Sequence, residues 1–99
     1  MQSNNNEQTL MARMQSGEQA AVGELYDLYG GTLYALAQRF TQDAAEAEEI
    51  VLDVFTQVWR EAHRYNAARS NVIMWLVSLA GQRLRMRSAI RHRTAASMR

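Results

Sequence analysis

Between residues 65 and 87 the chain carries side chains suited to gripping nucleic acid. Tyr65 offers a ring on which a base can stack, Asn66 and Asn71 offer amide donors and acceptors, and Arg69 offers a guanidinium fork. Trp75 follows, and Arg83, Arg85 and Arg87 continue the run. Aromatics interleaved with arginine and asparagine suit unstacked single-stranded bases better than a duplex groove, because every base has a face to stack and an edge that pairing hides. Each group also has a plainer role. Trp75 fits a buried anchor for helix packing, and the arginines fit a solvated face.

No constellation supports an enzyme. Glu46, Glu48 and Glu49 are close in sequence, but a helix start explains clustered acid there through the macrodipole. His63 and His92 lie in basic surroundings without carboxylate or cysteine at ligand spacing, so no metal site is expected. A phosphate-cradling glycine loop and a nucleophile elbow are both missing, and no cofactor is expected. The chain has no cysteine, hence no disulfide framework, which is compatible with the cytoplasm. Residues 1–23 are too polar for a signal peptide, and no apolar run reaches the length of a membrane span.

Charge is divided along the chain. Residues 1–61 hold all ten acids against Arg13, Arg39 and Arg60, a balance of −7, while residues 62–99 hold eight arginines and no acid, a balance of +8. The near-neutral total therefore conceals two halves of opposite sign. A solvated acidic face with a basic tail would account for it. So would two partners of opposite sign, with phosphate on the basic end.

The elements that position these groups follow from composition. Ninety-nine residues at 47% apolar content suit one compact domain. With no proline, no Asn-Gly or Asp-Gly turn and only five glycines, an all-α bundle of about four helices is expected. A short first helix is expected over 7–15, with Leu10, Met11 and Met14 on one side and residues 1–6 disordered before it. Ser16 with Gln19 resembles a capping box for a second helix over about 18–40. Its stripe is Val22, Leu25, Tyr29, Leu33, Leu36 and Phe40, and Gly30-Gly31 marks a bend or a close approach. Tyr26 and Tyr34 fall off the stripe and form a second contact face or widen the core. Asp43 and Glu46 cap a third helix that buries Ala47, Ile50, Val51, Val54, Phe55 and Val58, with Trp59 at the edge of that stripe. Its outer face carries Glu48, Glu49, Leu52, Asp53, Thr56 and Arg60. After a polar loop, Ser70 or its competitor Asn71 caps a fourth helix with Ile73, Leu76, Val77, Ala80 and Leu84 as the buried stripe.

The stretch EAEEIVLDVFTQVWREAHRYNAARSNVIMWLVSLAGQRL resembles the second conserved region of bacterial RNA polymerase sigma factors of the sigma-70 family, in the extracytoplasmic-function (ECF) class. The likeness rests on Ala47-Glu48-Glu49-Ile50-Val51, Val54-Phe55, Val58-Trp59-Arg60, Trp75-Leu76 and Ala80. Upstream, Leu25-Tyr26-Asp27-Leu28-Tyr29-Gly30 and Leu33-Tyr34-Ala35-Leu36-Ala37 resemble the family's preceding helix. The resemblance implies a transcription initiation factor whose third helix meets the clamp helices of the core polymerase β′ subunit, here through Glu48, Glu49, Leu52, Asp53 and Thr56. It implies that the loop and fourth helix capture bases of the melted non-template strand at the promoter −10 element. Tyr65, Asn66, Arg69, Ser70, Asn71 and Trp75 then belong to that surface, with Arg83, Arg85 and Arg87 beyond. An anti-sigma factor is an expected partner.

Three positions depart from the family pattern. Leu52 stands where a glutamine is usual, Gln82 where an asparagine is usual, and Met86 where an aspartate is usual. On this reading residues 7–88 form the region 2 domain, and residues 89–99 begin a linker to an absent C-terminal region 4 domain. Two competitors share the residues: a sigma-like interaction module bound by a regulator without promoter reading, and a generic helix-turn-helix duplex binder. The long loop before Ser70 argues against the second.

Overall fold

The computed structural model describes residues 2–69 and 71–97, with side-chain surroundings given for 7–69 and 71–88. Four helices carry the chain: α1 (Gln2–Gln15), α2 (Ala20–Thr41), α3 (Ala44–Glu61) and α4 (Val72–Ser97), with a 3-10 turn, Ala62–Arg64, closing α3. No strand occurs among the described residues, and the all-α bundle expected from composition is the fold. α2 and α3 form the most extensive pair, α4 packs mainly on α3, and α1 lies across α2 and the 3-10 turn.

One core joins all four helices. Leu10, Met11 and Met14 enter it from α1, Ala21, Leu25, Leu33 and Ala37 from α2. α3 adds Ala47, Ile50, Val51, Val54, Phe55 and Val58, and α4 adds Val72, Leu76, Leu79 and Ala80. The α3 stripe repeats at steps of three and four, which sets every apolar residue on one face. Ala21, Ala37 and Ala47, all fully covered, let helix backbones approach where a larger residue would hold them apart.

Helix ends follow local chemistry, with one correction. Asp43, extended in backbone, accepts a hydrogen bond from the Glu46 amide through Oδ1 at 3.1 Å, as expected of an N-cap. The Ser16–Gln19 box does not form. Ser16 Oγ instead donates back to the Arg13 carbonyl at 2.9 Å, and Gln19 makes no side-chain cap. Gly17, at φ +94, sits in the left-handed region that ends α1, so Ser16 belongs to the α1 terminus and cannot reach forward. Asn71 rather than Ser70 supplies the described α4 cap, its Oδ1 accepting from the Met74 amide at 2.9 Å, while Ser70 lies outside the described residues.

Other boundaries also shift. α1 begins at Gln2, earlier than the apolar pattern announces, and α4 continues to Ser97. Gly30-Gly31 neither ends nor breaks α2. Gly30 is covered by the ring of Tyr26 one turn away, 3.3 Å from where a Cβ would stand. Tyr26 then meets Phe55 edge-on at 5.1 Å, which makes it a contact between α2 and α3. Phe40 and Val77, expected inside, are 71% and 36% exposed. They line an open groove between α2 and α4 together with Leu36 and Leu84.

Candidate nucleic-acid and protein-docking surfaces

Residues 65–69 and Asn71 are held by their own polar groups. The Tyr65 amide closes the 3-10 turn onto the Ala62 carbonyl at 3.1 Å. Asn66 Oδ1 accepts from the Ala68 amide at 2.9 Å, an Asx turn, and the Arg69 amide donates to the Asn66 carbonyl at 3.0 Å. The Asn71 carbonyl takes the Trp75 amide at 3.1 Å. Both asparagine side-chain oxygens thus fix backbone, and these exposed residues keep their amide nitrogens as the remaining side-chain donors. Arg69 is exposed and enters no ion pair among the described residues.

Beneath the loop, the Tyr65 and Trp75 rings lie 5.3 Å apart at 50°. Both are half-buried against the core. Burial raises the Tyr65 phenol above its ordinary range, with a smaller push from the Glu7 carboxylate. Trp75 therefore serves as packing anchor on one side and keeps an accessible portion on the other. The fold gathers Tyr65, Asn66, Arg69, Asn71 and Trp75 at one end of the bundle.

The α4 arginines are not part of that cluster. Arg83 lies two turns beyond Trp75, roughly 12 Å along the axis. Its Nε donates to Gln57 Oε1 of α3 at 3.2 Å. Arg87 also turns to α3, with Glu49 at 2.9 Å and Glu46 and Asp53 each at 3.8 Å. Arg85 takes the other side of the helix, over Gly81 and beside the groove of Phe40.

On the outer face of α3, Glu48, Glu49, Leu52 and Thr56 are exposed and Asp53 is half-exposed. Leu52, 52% exposed, is an apolar centre in an acidic surround. Thr56 Oγ1 donates to the Leu52 carbonyl one turn back at 2.9 Å. Because Arg87 pairs with Glu49 and Asp53, the two halves of opposite charge meet across α3 and α4 instead of forming two separate faces. Sequence order could not show this contact, since it depends on which side of α4 faces α3. Sequence reasoning set Arg60 on the outer face of α3 and weighed His63 only as a metal ligand, without joining them to Arg64 and Arg83, with which they share a groove. The spacing of Gln57, Arg60, Glu61 and Arg64 at three and four residues was the available signal.

A sequence model of sigma-70 region 2 matches residues 25–95. The chain is 31% identical over 74 residues to the ECF RNA polymerase sigma factor SigK of Mycobacterium bovis (strain BCG / Pasteur 1173P2), covering 75% of this chain and 40% of that protein. It is 32% identical over 90 residues to SigK of Mycolicibacterium vanbaalenii, covering 91% of this chain and 45% of that protein. Among solved structures, that of Rhodobacter sphaeroides SigE in complex with the anti-sigma ChrR matches with a TM-score of 0.68 at 27% identity, over 73% of this chain and 42% of that one. The chain spans less than half the length of these relatives. With the helical order, the loop and the sequence match in agreement, this chain belongs to the sigma-70 region 2 family, in its extracytoplasmic-function class.

Proposed function

We propose that this chain acts in transcription initiation by reading the −10 promoter element as single-stranded DNA, through residues 65–71 and the first turn of α4. The observation that carries the reading is the loop itself. Its asparagine oxygens are spent on backbone, the exposed Asn66, Asn71 and Arg69 keep side-chain donors, and a Tyr65–Trp75 ring pair adjoins them. A base lifted from its stack could lie over that platform with its Watson–Crick edge toward the amides. Docking on the polymerase β′ subunit is assigned to Glu48, Glu49, Leu52, Asp53 and Thr56 on α3. Of these, Leu52 replaces a polar contact with an apolar one. The relative SigE was solved with an anti-sigma factor, which supports a partner of that kind here.

The test uses core polymerase, this chain and a promoter fork carrying 2-aminopurine in the −10 non-template strand. Fluorescence should rise as the base unstacks, and Arg69→Ala should diminish the rise. No rise from a folded chain that still binds polymerase would select the second reading, a regulator-bound interaction module. That reading is favoured by one observation: Arg83 and Arg87 turn toward α3 and away from the loop.

A further inference from the structure

A groove of about 530 Å³ runs between the C-terminal half of α2 and the middle of α4. Leu36 and Phe40, one turn apart, wall it on α2, and Val77, Gly81, Leu84 and Arg85 wall it on α4. Steps of three and four set those α4 residues on one face. We infer that this groove is the docking site for an amphipathic helix of a protein partner. Such a helix sets apolar side chains at i, i+3 or i+4 and i+7 between α2 and α4, with an acidic residue beside Arg85. The inference does not rest on the promoter reading, since no residue of the loop and none of the α3 residues assigned to β′ docking lines the groove.

Phe40 is 71% exposed, more than any other large apolar side chain among the described residues, and it stands beside Leu36, Val77 and Leu84. Single exposed apolar residues are ordinary, whereas a contiguous set in a concave site marks an interaction surface. Gly81 lies in the same wall. Its backbone is helical and needs no positive φ, and a Cβ there would meet only Arg85 Nη1, at 3.4 Å. Glycine is disfavoured inside a helix, and no packing within the chain asks for it at this position. Its missing side chain keeps the groove open and lets a second backbone come close. From Val77 to Ser88 the α4 wall is roughly 16 Å long, the length of three turns of a docked helix.

Charge fixes the chemistry of the partner. Arg87 and Glu46, both in the groove lining, face each other at 3.8 Å. Arg85 is exposed and enters no ion pair among the described residues, so the groove keeps one uncompensated cation. An apolar strip edged by a guanidinium complements a helix with leucine-sized anchors and a carboxylate on its flank. A second copy of this chain fits less well, because a twofold pairing about this groove sets like guanidinium groups against each other.

The experiment titrates the chain by fluorescence anisotropy with a labelled peptide of roughly 18 residues, carrying leucine along one helical face and glutamate on the flanks. One control peptide has the same composition in scrambled order, and another has lysine for glutamate. The amphipathic form should bind, and the scrambled form should bind about tenfold more weakly or worse. Phe40→Ala should weaken binding about tenfold, and Gly81→Leu, which fills the groove, by at least as much. Arg85→Gln should weaken the glutamate peptide about two- to fivefold and narrow its advantage over the lysine form. These substitutions fall at exposed or open positions, and circular dichroism checks the fold of each. Unchanged binding by folded Gly81→Leu, equal binding of the scrambled peptide, or no binding of the amphipathic one would overturn the inference. Gly81→Leu should leave binding of a −10 single strand unchanged, and joint loss of peptide and strand binding would overturn the groove as a separate site. Dimerisation in sedimentation equilibrium that Gly81→Leu abolishes would overturn it in favour of a second copy.

Discussion

Asn71 shows how one side chain at the loop can serve stability and recognition through different atoms. Its Oδ1 caps α4, and on the proposed function its amide nitrogen is the donor offered to a base. Asn71→Ala should cost about 1 kcal/mol in urea unfolding and also weaken single-strand binding. Asn71→Asp keeps the capping oxygen, so stability should hold while binding falls, since the donor is gone and a negative charge now faces the strand. Equal stability loss in both variants would contradict the assignment. The Tyr65–Trp75 pair is open to a double-mutant cycle, with an expected coupling of about 0.5–1.5 kcal/mol between the two alanine substitutions. At this scale the sequence named side chains that the fold brings together at the loop. It left the Ser70/Asn71 cap open because both types cap equally well, and only the start of α4 at Val72 decides between them.

Elements are tied together by polar contacts between distant residues, and these were the least legible. Arg13 of α1 reaches Glu24 of α2 at 2.5 Å and also pairs with Glu18 in the intervening turn. Gln15 Nε2 donates to the Ala62 carbonyl at 2.9 Å and anchors α1 to the 3-10 turn. The Arg13 hydrogen bond holds the Glu24 carboxyl below its ordinary value of 4.5. A depressed carboxyl gives stability that is present above the unfolded value and lost as pH falls through the folded one. Thermal melts below pH 4.5 should therefore show wild type losing an increment that Glu24→Gln lacks at every pH. Arg87 is the corresponding tie between α3 and α4. Arg87→Ala should lower stability by up to about 1 kcal/mol at low salt, with a smaller loss at high salt because the pairs are partly exposed. Periodicity predicted the α3 core in full, yet it placed Phe40 and Val77 inside. A repeat of three and four residues gives the face of a helix but not how far along that face the neighbouring helix extends.

Over the whole molecule, function depends on where charge finishes in space. The sequence separates −7 from +8, and the fold brings part of each together through Arg87, while Arg69, Arg60 and Arg83 enter no ion pair among the described residues. Fold class and the loop were legible because both are local: helix periodicity, missing proline and a cluster of stacking and amide side chains. The division of the arginines between structural pairing and recognition was not, because it is set by the rotation of α4 against α3. The central claim is that this chain reads unpaired DNA, so the most direct measurement is fluorescence anisotropy with a −10 non-template single strand and its duplex, each at two salt concentrations. The account predicts preference for the single strand, sequence dependence at low salt, and loss of both on folded Arg69→Ala. Equal or tighter binding to the duplex, or binding untouched by Arg69→Ala, would contradict it.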